Sequence, residues 1–346
     1  MIIYLHKRIL TLVVFSFHLI VNGQDYHFSQ FNSSPLFINP GATGAFNGEM
    51  RFSANYKNQW KTISNAYNTY GASIDGRILS KKSNFIGIGL TAFSDKSGLS
   101  KLSTTQLNAL VSYNLKITRS LELSAGIQLG MFQKKLTTGN LKWDNQFDGN
   151  FYNSSLPTGE TSNFQQITNF DSGLGLLCRY NNKSSQFKFE IGASISHINK
   201  PKSTFLANDQ KINRKYIGHI STHIKLGDKP FFIIPQAIYV NQSPYSEILF
   251  GGSFKCLLGE ETRSNTSLNT FALVSSTISF GAFYRMKDAI ICVVTLEYKR
   301  RLNLGFSYDF NTSKLSAASK HKAGMEISLA YKLMMKNGNI KNVPLD

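Results

Sequence analysis

The amino-acid sequence predicts an all-β fold, a transmembrane antiparallel β-barrel of about fourteen strands. Three observations predict it. From Glu49 onward, apolar and polar residues alternate with a period of two, the mark of a strand with two different faces. Most of these segments reach the about nine to eleven residues that a tilted membrane strand needs. They exceed the about five or six of an ordinary globular sheet. The chain also opens with an export leader and carries no later run of about eighteen apolar residues, so no transmembrane helix is expected in the mature protein.

The leader comes first. His6-Lys7-Arg8 forms a basic start, Ile9 to Val21 an apolar run too short to span a bilayer, and Val21-Asn22-Gly23 a cleavage site. Residues 1–23 are therefore expected to be a signal peptide, with Gln24 starting the mature chain and no cysteine following for a lipid anchor. An uncleaved signal anchor is the rival reading, and N-terminal sequencing separates the two. Residues 24–48 follow, rich in Asn, Ser, Pro and Gly. They would serve as a periplasmic tether, a partner-binding arm or a plug for the lumen.

Strands are then expected at 49–58, 67–80, 84–95, 103–116, 119–133, 169–182, 185–198, 214–227, 230–241, 246–258, 271–285, 288–299, 301–310 and 322–334. In 119–133, Leu121, Leu123, Ala125, Ile127, Leu129 and Met131 share one face. Glu122, Ser124, Gly126, Gln128 and Gly130 share the other. The last strand puts Met325, Ile327, Leu329, Tyr331 and Leu333 opposite Glu326, Ser328, Ala330 and Lys332. A soluble sandwich alternates as well, with its apolar face capped by a second sheet. The leader, the strand lengths, the even count and the aromatic content (26 Phe and 15 Tyr) favour the membrane barrel. The barrel is expected to occupy 49–334, with 335–346 as a C-terminal tail and both termini periplasmic. Leu329→Arg, on the lipid face, should then be costly, and Ser328→Arg, on the lumen face, far milder.

Connection lengths support this count. Asn181 to Ser184 and Gly227 to Lys229 are short and fall at the expected periplasmic end, while 134–168 and 199–213 are long and fall at the outer end. The long 259–270 inside and the short Met286-Lys287 outside go against the pattern.

The formal charge of +18, two units of which belong to Lys7 and Arg8 of the leader, suits anionic lipid headgroups or an acidic partner. The basic residues are spread over turns and strand ends with no stripe or known module, so nucleic acid is not an expected partner. Cys178, Cys256 and Cys292 are an odd number and sit in apolar alternating stretches, as small apolar residues and not a disulfide framework.

Catalytic patterns are missing. His219 and His223 share a strand and lie roughly 13 Å apart at about 3.3 Å per residue, too far for one metal ion. The Gly87/Gly89 and Gly173/Gly175 pairs complete no dinucleotide fingerprint and are expected to face the lumen as small residues. No catalytic, cofactor-binding or metal site is expected, and the chain does not read as an enzyme. By alternation Arg285, Glu297, Asp309 and Glu326 project from the polar face of the last four strands, where they would form an ion-pair network in the lumen.

Several ordered motifs carry a resemblance. Gln24-Asp25, Phe28-Ser29-Gln30-Phe31 and Asn39-Pro40 with Gly44 open the mature chain. Arg51-Phe52-Ser53, Gln59-Trp60 and Ala72-Ser73-Ile74-Asp75 follow, then Tyr284-Arg285, Asp288-Ala289, Ser307-Tyr308-Asp309 and Gly324 to Leu329. Together they resemble the PorP/SprF family of type IX secretion system outer-membrane proteins. The resemblance implies an outer-membrane barrel serving protein export, in some members the secretion of gliding adhesins. It implies as partners the periplasmic ring and outer-membrane components of that machine, and secreted proteins with C-terminal sorting domains. It supplies no catalytic residues. A channel for a hydrophobic or small solute is the alternative, and an adhesive surface barrel acting through the 134–168 loop is a third. Two features depart from the pattern: the chain continues past Leu333 to Asp346, and the 134–168 segment carries Trp143, Asp144 and Pro157.

Overall fold

The computed structural model describes residues 27–59, 67–81, 84–97, 102–136, 142–159, 166–182, 186–203, 210–258, 276–313, 316–319 and 322–334. The leader, the tail and the 259–270 connection lie outside the described residues.

Fourteen antiparallel strands close into one barrel. They are β1 (Met50–Gln59), β2 (Tyr67–Lys81), β3 (Asn84–Ser97), β4 (Leu102–Lys116), β5 (Leu121–Lys135), β6 (Gln166–Asn181) and β7 (Phe187–Ser196). The second half is β8 (Lys215–Lys225), β9 (Phe231–Gln242), β10 (Tyr245–Leu258), β11 (Ser276–Arg285), β12 (Ala289–Tyr298), β13 (Leu302–Asn311) and β14 (Lys322–Leu333). Each strand pairs with its sequence neighbours, and β1 closes the ring on β14 over ten partnered positions, from Met50 with Leu333 to Gln59 with Gly324. The ladder therefore has no free edge.

Alternation decides the facing. On β14, Leu329 is 43% exposed on the outer face while Glu326 and Ser328 are 0% and 2% exposed inside. The outer wall between the two rims is mostly Leu, Ile, Val, Phe and Ala. Aromatic residues mark both rims, with the Tyr56–Tyr70 and Phe250–Tyr284 pairs at one end and Tyr180–Phe187 and Phe231–Phe254 at the other. Two aromatic girdles around an apolar band are what a bilayer selects. Cys178 and Cys292 lie on this outer face, and all three cysteines are free.

The two ends differ. At the turn end, where β1 begins and β14 finishes, connections such as 226–230 and 299–301 are tight. Lys299 and Arg300 both hold positive φ (50° and 54°) and Arg301 N–H donates to the Tyr298 carbonyl, the mirror-image turn whose twist matches a hairpin. The loop end carries the long connections 136–165 and 197–214.

Residues 27–48 do not join the wall. They fold as three short 3-10 turns, Phe31–Ser33, Pro35–Phe37 and Pro40–Ala42, inside the barrel. His27 touches Lys57 and Arg285, at the loop end where β1 and β11 finish. Phe46 lies under Arg51 and Arg77, nearer the turn end. The segment thus runs the length of the lumen before Gly48 leads into β1. The first described residue, His27, lies at the opposite end of the lumen from Leu333, because the segment threads through the barrel.

Candidate functional site

The polar face of the wall supplies side chains that meet the main chain of the threaded segment. At the loop end, Glu326 on β14 accepts from the Ser29 N–H (2.6 Å) and the Gln30 N–H (3.2 Å). Asp309 on β13 accepts from the Ser29 hydroxyl (2.7 Å) and pairs with Arg285 on β11. Arg285 also reaches the Ser29 hydroxyl, Asp288 in the following turn and His27 Nε2. Lys57 on β1 donates to the His27 carbonyl at 3.0 Å. Burial first, then the positive charges of Lys57, Arg285 and Lys215, holds His27 well below the usual histidine range, so it accepts from Arg285 as a neutral ring.

The middle of the lumen is read in the same way. Ser194 donates to the Ile38 carbonyl, Ser124 to Gly41 (2.6 Å), and Ser112 to Thr43 (2.6 Å). Asn39 caps its own turn by accepting from Gly41 N–H and donates to the Leu176 carbonyl, with His219 Nε2 3.2 Å away. His219 therefore faces the lumen as a neighbour of Asn39. Towards the turn end Asp75 accepts from Gly44 N–H and from Arg51, which also donates to the Ala42 carbonyl. Arg77 and Arg179 donate to the Gly44 and Ala45 carbonyls.

Steric clearance matches these bonds. A Cβ at Gly87 would overlap the Thr43 carbonyl, and one at Gly126 the Pro40 carbonyl. Gly87 and Gly175 do face the lumen as small residues, and each touches the segment. Gly44 itself sits at φ +69°, a conformation glycine adopts without penalty. The lumen also has apolar patches, and in one of them Phe31 packs against Ile217, Ile238, Leu249, Phe283 and Ile291.

Of the four residues singled out from sequence, the structure gathers Arg285, Asp309 and Glu326 around Ser29. Glu297 is elsewhere. It lies at the turn end with Lys255 (3.1 Å), Thr277 (3.4 Å) and Lys332 (3.9 Å) and touches none of the three. The segment is also held by Lys57, Arg51, Asp75, Arg77, Arg179 and Ser124, to which the sequence analysis assigns no such role. The signal was present, since Arg51, Ser53, Asn55 and Lys57 share one face of β1. Ser328 faces the lumen, as alternation predicts. Its hydroxyl donates to Gln30 Oε1 (2.8 Å) and lies 3.2 Å from Ser33 Oγ, so Ser328→Arg would collide with the segment and would not be mild.

A threaded, polar-lined lumen inside a fourteen-stranded apolar wall can be set beside known proteins. The profile of the type IX secretion system membrane protein PorP/SprF family matches residues 20–331, nearly the whole barrel and its threaded segment. The chain belongs to the PorP/SprF family. A search of curated protein sequences finds no match. Among solved structures, this PorP/SprF chain superposes on a Pseudomonas aeruginosa FadL homologue with a TM-score of 0.50. The identity there is 7%, over 85% of this chain and 92% of that one. The Pseudomonas putida toluene transporter TodX gives 0.48 at 9% identity, over 88% and 93% of the two chains. The Ralstonia pickettii toluene transporter TbuX gives 0.47 at 11%, over 87% and 93%. At 7% identity the likeness to the FadL homologue extends to the barrel fold alone.

Proposed function

We propose that this outer-membrane barrel of the type IX secretion system acts without catalysis, linking exported proteins with C-terminal sorting domains, such as gliding adhesins, to the machinery. The family match over residues 20–331 supports its place in the system. The observation that carries the linking role is the lumen. Wall side chains hold segment 27–48 across it, an arrangement suited to binding and not to passage. A solute channel needs a free path there, so purified protein in a planar bilayer should stay silent to ions and small solutes. Partners on this reading are the periplasmic ring and outer-membrane components of the machine. We place the turn end in the periplasm and the loop end outside, with the signal peptide removed. Deleting the gene should leave a sorting-domain protein stranded inside the cell. Arrival of every such protein at the surface, with no redundant copy present, would sink the linking role.

A further inference from the structure

The threaded segment behaves chemically as a bound peptide. Residues 27–48 contain no Asp, Glu, Lys or Arg, and four of them are Phe. The wall, in contrast, places charged groups on the segment's own amides and carbonyls, as Glu326 does at Ser29 and Gln30 and Asp75 at Gly44. Such contacts recognise main chain and are largely indifferent to side-chain identity. Selectivity comes from the apolar pocket around Phe31 and from the glycine clearances at Gly87 and Gly126.

The barrel does not need the segment to close. Every strand has both ladder partners without it, and β1 pairs directly with β14. Withdrawal would break side-chain bonds and Phe packing, and water entering the lumen would solvate the exposed polar groups. The backbone ladder would stay whole.

We propose that the lumen is a receptor for uncharged, phenylalanine-anchored peptide main chain, with residues 27–48 as its tethered ligand. An equivalent segment supplied by a protein partner takes the same seat when the tethered one withdraws. This holds whatever cargo the secretion system carries, so it does not rest on the linking role proposed above.

A reversible lock tests it. Ser33 Oγ and Ser328 Oγ are 3.2 Å apart. In full-length protein with Cys178, Cys256 and Cys292 changed to Ala, Ser33→Cys with Ser328→Cys should form a disulfide that pins the segment to β14. The probe is a fluorescent synthetic peptide of residues 27–48. Reduced protein should capture it saturably, and unlabelled peptide should compete. A version with Phe31 and Phe46 changed to Asp should not. Oxidation should lower capture at least about tenfold, and reduction should restore it. Equal capture in both states, or no capture in either, overturns the proposal. A measurement on the unaltered chain covers the case of a variant that fails to fold. Excess unlabelled peptide should speed hydrogen exchange in the chain's own residues 28–33 by displacing them, and unchanged exchange overturns the proposal equally.

Discussion

Replacing Glu326 by alanine should unseat the first turn of the lumen segment while the barrel stays closed. The carboxylate is fully buried and accepts from two main-chain N–H groups, Ser29 and Gln30, with Asn55 Nδ2 at 3.4 Å. A buried N–H left without an acceptor costs about 1–3 kcal/mol. Two adjacent ones are not independent, so the sum is about 2–5 kcal/mol. At about 1.4 kcal/mol per factor of ten, local opening should become about 30-fold to a few thousandfold more frequent. The ladder loses nothing, because the β14 main-chain bonds to β1 and β13 do not use the side chain. Hydrogen exchange on folded protein in detergent reads the effect through a peptide covering 28–33. Glu297→Ala is the control, since Glu297 bonds Lys255 and Thr277 and touches no residue of the segment's first turn. Equal protection of residues 28–33 in the two variants would refute the assignment of Glu326 as the anchor. So would a Glu326→Ala barrel that no longer folds, because the side chain would then be holding the wall.

Other perturbations separate the faces. Leu329→Arg should cost about 2–4 kcal/mol if it lies near the bilayer midplane, read by urea unfolding in vesicles. Ser328→Arg should leave the wall folded yet expose residues 28–33 to protease, since the new side chain points at Gln30 and Ser33. Protection of the segment in that variant would contradict the threading. Gly126→Val should displace Pro40 and Gly41 and raise exchange in residues 38–43, whereas Gly218→Val, where a Cβ meets nothing within 4 Å, should change nothing there. For His27, burial and three nearby cations lower the seated ring's pKa, while a free ring titrates near about 6.5. The seat should therefore be intact above about pH 6.5 and weaken as pH falls below it, because only the released segment takes up the proton readily. His27→Gln should flatten that dependence in a protease-accessibility series from neutral to mildly acidic pH. An unchanged profile would refute His27 as the group whose protonation loosens the seat.

Facing was legible because the side-chain period of a strand is two and the solvents on the two sides differ. That is why Leu329 and Ser328 fall where alternation puts them, and why the expected 214–227 and 246–258 become Lys215–Lys225 and Tyr245–Leu258. Segment 27–48 has no periodicity to read. Its bonds run to residues up to 298 positions away, as between Gln30 and Ser328, and only the closed ring brings these together. The apolar pocket around Phe31 was hidden for a different reason. Ala289 to Val294 on β12 is apolar on both faces, since Ile291 meets Phe31 inside while Ile290 and Val294 lie on the exposed outer face. A run of that kind looks like a poorly alternating strand until the lumen is known to hold an apolar side chain.

Depth along the barrel is a second readable variable, and it separates Glu297 from Arg285, Asp309 and Glu326. Consecutive strands run in opposite directions, so positions late in one strand and late in the next lie at opposite ends. Arg285 ends β11, which finishes at the loop end, whereas Glu297 is next to last in β12, which finishes at the turn end. Asp309 is late in β13 and Glu326 early in β14, and both are therefore at the loop end with Arg285. Direction and face together place three of the four residues at one depth and send Glu297 toward Lys255 and Lys332. The same count applied to β1 puts Lys57 at the loop end and Arg51 at the turn end. These are the residues that hold the first and the last thirds of the threaded segment, through the His27 and Ala42 carbonyls. A segment bonded at both depths cannot lie across one mouth of the barrel. It has to traverse the lumen, and that geometry makes the charge-free sequence of residues 27–48 intelligible. Charged side chains on the segment would compete with its own amides and carbonyls for Glu326, Asp75, Arg51 and Lys57, so the wall carries the charge and the segment carries the main chain it binds.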